Sequence, residues 1–400
     1  MTKTLIKPIL TAAAALVLAS CSVFELETPE PYRVTIMYAP AMNNLSPSIS
    51  EDLKEFCSGY LPTLKSGDVF LVYSHMPAEY GKYKIPTEPV LFRAWRDPNG
   101  TYRRDTLIRY PSSDLSSTPE VMNKVLTDIQ NMFPAPHYGM IVSSHGKGWL
   151  PAGYEEKSSS IFNASLPETR ELCIENFDDS GIDVNRLSEA IPYKLDYLIL
   201  DACLMGCIET AYELRGICDL LLFSPTEIMS DGLMYQTLAP LIMNVSSPDI
   251  VKVAQEYFDH YNSLSGSNQS ATVTVLNCNK LERLAQVCGA LTRKYRSTIA
   301  ATPHDNVKRY FYNDLHWFFD LRDIYVTAGI SKHELRELNE ALDAAIIYSR
   351  HTEEFFAGYQ YSLYMEDMCG LSMYKPYPNL TELNDFYKTL AWNKAIGLIQ

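Results

Sequence analysis

The chain has 400 residues, 46% of them hydrophobic and 20% charged, with a formal net charge of −14. This composition excludes intrinsic disorder and suits a globular protein of two or three units, or one large α/β domain with additions. The acidic balance excludes a nucleic-acid partner, because gripping a phosphate backbone needs a basic face.

A targeting pattern opens the chain. Lys3 and Lys7 give a positive start, and residues 9–18 form an apolar run too short to span a bilayer as a mature helix. Ala19 and Ser20 then precede Cys21, an arrangement that resembles a bacterial lipobox. The resemblance implies cleavage before Cys21 and acylation of its sulfur and amine. Residues 1–20 are then a lipoprotein signal peptide and 21–32 a tether. The plainer alternative is an ordinary signal peptide cut near Ser20. Ser22 is not the acidic residue that retains many lipoproteins at an inner membrane. The expected location is therefore the cell envelope, lipid-anchored, at an outer membrane in preference to an inner one.

Residues 33–38, 68–73 and 90–95 read as strands, the last running into the turn Asp97-Pro98-Asn99-Gly100. Residues 118–133 read as a helix, with Thr118 as N-cap, Pro119 in first position and Glu120 in the first turn. A fourth strand is expected at 138–143. Residues 150–180, rich in Ser, Glu and Asp without periodicity, read as a loop. A short helix at 183–190 leads to apolar strands at 195–200 and 220–224. Then come a helix at 249–261, a strand at 271–276, long helices at 281–299 and 332–350, and a candidate last strand at 370–374. Strands alternating with helices, several of them wholly apolar, predict a mainly parallel sheet covered on both faces.

Two strand ends carry chemistry. One runs into His145-Gly146, the other into Asp201-Ala202-Cys203. In open parallel sheets ligands bind outside the carboxyl ends of the strands, so neighbouring strands would bring His145 and Cys203 into one cleft. A free thiol, with a pKa near ~8.5, is only a few per cent thiolate at neutral pH, and an adjacent imidazole can take its proton. A helix expected to start just after Cys203 would favour the thiolate further. An acyl-transfer oxyanion needs backbone N–H donors, and those of Gly146 and Cys203 are the candidates. Alone, a strand-end Cys is usually packing and a His-Gly pair usually a turn; together they are more specific.

These residues resemble the clostripain family of cysteine peptidases, in the caspase-like clan. The resemblance rests on His145-Gly146-Lys147-Gly148-Trp149 and on Asp201-Ala202-Cys203-Leu204-Met205-Gly206 with Glu209. Weaker matches are Ser224-Pro225-Thr226-Glu227, Asp231-Gly232, Asp320-Leu321-Arg322-Asp323 and Gly370-Leu371-Ser372-Met373-Tyr374. It implies a caspase-like three-layer αβα sandwich, with a catalytic core at 33–280 and a helical extension at 281–400 packed on it. It also implies hydrolysis of peptide bonds by a Cys–His dyad, with protein or peptide substrates and no cofactor in the chemical step. Some relatives carry a supporting calcium ion, which the sequence leaves open. Relatives also often activate by cleavage after a basic residue in the loop following the histidine strand. Here that points to Lys157, with Arg170 second; a plain surface loop is the alternative.

Asp201 shares a face with Cys203 on an extended strand, and Asp231 follows the neighbouring strand. Two carboxylates lining one pocket would hold a guanidinium bidentately, favouring Arg over Lys before the scissile bond. A strand-end cap and an Asp-Gly turn are the bland readings of the two. Cys207 reads as a packed helix cysteine, Glu209 as a residue of the cleft rim, and His75 as ordinary. The aromatic run at 310–319 reads as core. The nine cysteines lack a paired CxxC, so zinc has no support, and disulfide pairing cannot be read. Three other readings compete: a catalytically inactive, surface-anchored binding lipoprotein on the same fold; a carbohydrate- or peptide-binding lipoprotein of unrelated fold, which would need another account of the two strand ends; and a serine hydrolase, which lacks its G-x-S-x-G elbow.

Overall fold

The computed structural model describes residues 29–82, 84–152, 154, 181–243, 247–310, 317–356 and 362–400. Cys21, Lys157 and Arg170 lie outside them. In chain order the elements are β1 (Arg33–Pro40), α1 (Ser46–Gly59), β2 (Asp68–His75), β3 (Val90–Arg96), β4 (Tyr102–Arg109), α2 (Pro119–Met132) and β5 (His137–Ser143). Next come α3 (Leu187–Ala190), β6 (Leu195–Asp201), α4 (Ile208–Glu213), β7 (Cys218–Phe223), α5 (Tyr235–Ile242), α6 (Ile250–Asn262) and β8 (Thr272–Asn277). The remainder are α7 (Leu281–Ala301), β9 (Phe319–Asp320), α8 (Leu321–Thr327), α9 (Lys332–Ala345), β10 (Ile346–His351), β11 (Glu354–Phe356), β12 (Ser362–Tyr364), β13 (Ser372–Met373), α10 (Thr381–Thr389) and α11 (Ala391–Ile396).

Nine strands form one sheet in the order β10-β8-β7-β6-β5-β1-β2-β3-β4. Its centre, from β7 to β2, is parallel, as expected from wholly apolar strands buried on both faces. The outer strands are antiparallel: β3 and β4 on one side, β8 and β10 on the other. Period-two alternation divides the side chains of each central strand between two cores. Val34, Ile36 and Tyr38 of β1 and Leu198 and Leu200 of β6 face a core filled by α2, α3, α4, α7 and the C-terminal helices. Met37, Tyr197 and Ile199 face the opposite core, filled by α1, α5 and α6. The result is three layers, helix on sheet on helix.

Helices α5, α8, α10 and α11 and the short strands β9, β11 and β12 have no counterpart in the sequence reading, and three further elements depart from it. Strand β4 is polar and exposed along most of its length, so its apolar pattern is faint. Helix α1 starts at a Ser-Pro step in a stretch of Ser, Glu and Asp, with Ile49 and Phe56 as its buried apolar anchors. The helix expected over 332–350 ends at Ala345, and Ile346 begins β10. Two β-branched residues and a tyrosine favour a strand there, and pairing with β8 supplies it. Thus the segment after residue 280 does more than pack on the sheet, since β10 is its edge strand. The candidate strand at 370–374 is the two-residue β13, paired with β9. Thr118 caps α2 as expected, its hydroxyl accepting from the Val121 N–H. Among the described residues no helix is long and apolar enough to cross a membrane, and all seven cysteines are free thiols.

The C-terminal segment is tied to the helix after Cys203 by a buried carboxylate. Glu209, expected at a cleft rim, is fully buried instead. It accepts hydrogen bonds from the Tyr374 N–H and the Tyr387 hydroxyl, both at 2.8 Å. Burial raises its pKa to about 7. Between pH 4.5 and 7 the folded state therefore holds a proton that the unfolded chain releases, so stability falls as pH rises through that window. In Glu209→Gln this fall should be absent. Urea melts from pH 5 to 8 should show the variant gaining on the wild type with rising pH, by roughly 2–3 kcal/mol at pH 8.

Candidate active site

The parallel register sets the site. Ser143 of β5 pairs with Asp201 of β6, so His145 and Cys203 each stand two residues beyond the same rung. The Ser144 N–H donates to the Asp201 carbonyl and extends the ladder. Beyond it the two chains touch: a methyl group on Gly146 would lie 2.3 Å from the Cys203 carbonyl oxygen and 2.9 Å from the Cys203 nitrogen. Only glycine permits this approach, which packs the backbones of the two candidate oxyanion residues against each other. Gly148, at φ +61°, fits against Leu204 and Phe318 in the same way.

The turn after Cys203 is strained and heavily braced. Leu204 adopts φ +61°, a left-handed conformation that costs a non-glycine residue about 1–2 kcal/mol. Its N–H donates to Thr226 O at 2.9 Å, and the Gly206 N–H to Ser224 O at 2.7 Å. Ser224, Thr226 and Thr272 lock this support through their buried hydroxyls, Thr272 lying 2.7 Å from each of the other two. On the other side the Ser372 N–H donates to Gly206 O at 3.0 Å.

Helix α4 begins at Ile208, with Cys207 as its cap, so no helix starts directly after Cys203. The sulfur instead meets one residue of the segment after β7 twice: the Ile228 N–H donates to the Cys203 Sγ at 3.1 Å, and the thiol lies 3.8 Å from the Ile228 carbonyl, which accepts from it. Cys207 is a packed residue, its Sγ 3.0 Å from the Thr210 hydroxyl, and burial pushes its thiol pKa up. Cys203 is 2% exposed and His145 6% exposed. The His145 Nε2 lies 2.7 Å from Asn44 Oδ1 in the β1–α1 connection.

Asp201 is fully buried, where it accepts from the Tyr235 hydroxyl at 2.9 Å. Ser143 Oγ lies 3.3 Å from it and 3.3 Å from Asp52 on α1. Asp231 is exposed in the turn closed by the Gly232 N–H on Met229 O. Its charge reaches Glu55 of α1, whose pKa is raised first by burial and then by Glu51 and Asp231. His75 is structural: its Nε2 donates to Thr87 O and its Nδ1 accepts from Ser116. Tyr310, Trp317, Phe318 and Phe319 of the aromatic run are buried. Among the described residues no three His, Cys, Asp or Glu side chains gather as a metal site. Sequence reasoning missed Asn44, Ile228, Tyr235 and Asp52. Asn44 had a usable signal, since it follows the end of β1, the other neighbour of β5 in the sheet.

The clostripain family model matches residues 37–398, nearly the whole described chain. The chain belongs to the clostripain family. Its sequence is similar to clostripain of Hathewaya histolytica, 29% identical over 206 residues, which cover 46% of this chain and 36% of that protein. The match thus spans about a third of clostripain's own length. Among solved structures it resembles an inactive zymogen C11 protease from Parabacteroides distasonis, with 27% identity and a TM-score of 0.75 over 92% of this chain and 99% of that one. It also resembles a secreted C11 cysteine protease from Bacteroides thetaiotaomicron in complex with an irreversible peptide inhibitor. That match has 25% identity and a TM-score of 0.74 over 91% of this chain and 98% of that one. The family's caspase-like fold is the three-layer arrangement described above.

Gly146→Ala tests the close approach of the two chains. The added methyl must push the Cys203 backbone aside, so proteolytic turnover should fall at least tenfold while a melting curve still shows a folded protein. Wild-type turnover in this variant would mean that the contact does not position the nucleophile.

Proposed function

We propose that the chain is an exported cysteine endopeptidase that cuts after arginine or lysine. One observation carries this reading: His145 and Cys203 stand at matched positions beyond adjacent parallel strands, with Gly146 packed on the Cys203 backbone. In the proposed reaction the His145 imidazole takes the Cys203 thiol proton. The thiolate then attacks the scissile carbonyl carbon. The Gly146 and Cys203 N–H groups hold the resulting oxyanion. The imidazolium protonates the leaving amine, and water, deprotonated by His145, hydrolyses the thioester.

Asp201 and Asp231 are proposed to select the cationic residue before the scissile bond. Asp231, exposed, would meet the guanidinium directly; Asp201, held by Tyr235 and near Ser143, would add charge from beneath. Burial of both dyad side chains supports a latent form that must open before a peptide can reach the sulfur. Cleavage after Lys157 is the proposed opening step, with Arg170 the second candidate. Anchoring through acylated Cys21 is proposed for the mature protein.

The test is a fluorogenic peptide screen on the mature protein, varying the residue before the scissile bond. Arg should exceed Lys, with acidic residues rejected. Cys203→Ala should abolish turnover, and His145→Ala should lower it by roughly 10²–10⁴-fold. Asp231→Ala should cut kcat/KM for arginine substrates while leaving alkylation of Cys203 unchanged. Full activity in Cys203→Ala would sink the mechanism; a preference for Asp or a large apolar residue would sink the pocket alone. Mass spectrometry should find the mature N-terminus at acylated Cys21, and Lys157→Ala should delay the appearance of two-chain, active protein.

A further inference from the structure

The dyad reading leaves one question of proton placement. A neutral imidazole carries a single N–H, and it can serve as base only through its other nitrogen. The Nε2 of His145 lies 2.7 Å from Asn44 Oδ1. An amide oxygen only accepts, so this contact places the proton on Nε2 and leaves Nδ1 as the basic atom. The opposite amide orientation would put the proton on Nδ1 and cost the imidazole that role.

Asn44 is held in place by its neighbours. The Asn43 side chain accepts from the Leu45 N–H at 2.9 Å and donates to Pro40 O at 3.4 Å. Asn43 and Leu45 are buried at 5% and 0% exposure, while Asn44 between them points outward. The connection leaves β1, which pairs with β5 on the side away from β6. His145 therefore has the nucleophile's strand on one side and Asn44 on the other.

We propose that Asn44 is a positioning residue, which fixes the tautomer and orientation of His145 and stabilises the imidazolium formed when Cys203 gives up its proton. The proposal rests on the reading of His145 as the base. Its physical content is a hydrogen bond that strengthens when the ring gains charge, because charge-assisted hydrogen bonds exceed neutral ones. Losing the acceptor destabilises the thiolate–imidazolium pair, and replacing it by a carboxylate stabilises the pair.

The test compares wild type, Asn44→Ala, Asn44→Asp and His145→Ala in the full mature chain. Two quantities are read: kcat/KM on the preferred peptide, and the pH midpoint for alkylation of Cys203 by iodoacetamide, which needs no turnover. In Asn44→Ala, kcat/KM should fall about ten- to a hundredfold, a part of what a positioned base supplies. The alkylation midpoint should rise by about one pH unit. In Asn44→Asp the midpoint should move below that of the wild type, with much of the activity restored. Other ionisable groups on the surrounding elements are Asp201 at the end of β6, His75 at the end of β2, Asp52 on α1 and Lys147 in the histidine loop. All are common to the four proteins, so a difference between the Asn44 variants and wild type reports Asn44. An unmoved midpoint in both Asn44 variants overturns the proposal, even if activity falls, because a merely structural role would leave the ionisation alone. A midpoint unmoved in His145→Ala would instead overturn the reading of His145 as the base.

Discussion

The pairing of β5 with β6 is the constraint on which the site depends. A parallel ladder fixes register along its whole length, and a slip of one residue would turn every side chain to the other face. Here the register is over-determined. Both faces of these strands are apolar: Met140 and Leu198 face one core and Ile141 and Ile199 the other, so the register is held by how side chains of different shape fit two packed cores at once. The positions of His145 and Cys203 beyond the last rung follow from this fit. The placement of these two residues is thus inherited from packing some distance below them.

Such a ladder ends in open chain, and open chain is where geometry is easily lost. The turn after Cys203 avoids that by being held from both sides. The segment after β7 supplies carbonyls to Leu204 and Gly206 and an N–H to the sulfur itself. That segment is fixed in turn by the hydroxyl cluster of Ser224, Thr226 and Thr272. The left-handed Leu204 persists because its surroundings leave it no alternative, the usual condition for backbone strain beside a reacting group. The sulfur is buried within this bracing, so the same contacts that shape the turn also shield the Cys203 thiol.

Much of this was legible in the sequence. Apolar runs such as 195–200 announce buried parallel strands, and the His-Gly and Asp-Ala-Cys steps mark where those strands stop. The central strands and most of the helices fell where periodicity and caps put them. The losses have physical reasons. Strand β4 carries little apolar signal because it lies at an edge. β10 follows a helix without a breaker, and only pairing with β8 decides its state. The Ile228 contact to sulfur uses a backbone N–H, which no side chain advertises. Glu209 looked like a surface acid because its partners, Tyr374 and Tyr387, lie more than 160 residues away in sequence.

That separation has a consequence for how the molecule is made. Ribosomes release the N-terminus first, so β5, β6 and Cys203 emerge well before Ser372, Tyr374 and Tyr387. Until those residues appear, Gly206 lacks its partner strand and Glu209 has neither donor. A chain caught partway through synthesis therefore holds the Cys203 thiol on an unfinished support. The fold thus couples the seating of the Cys203 turn to the arrival of Ser372, Tyr374 and Tyr387, made long after the turn itself.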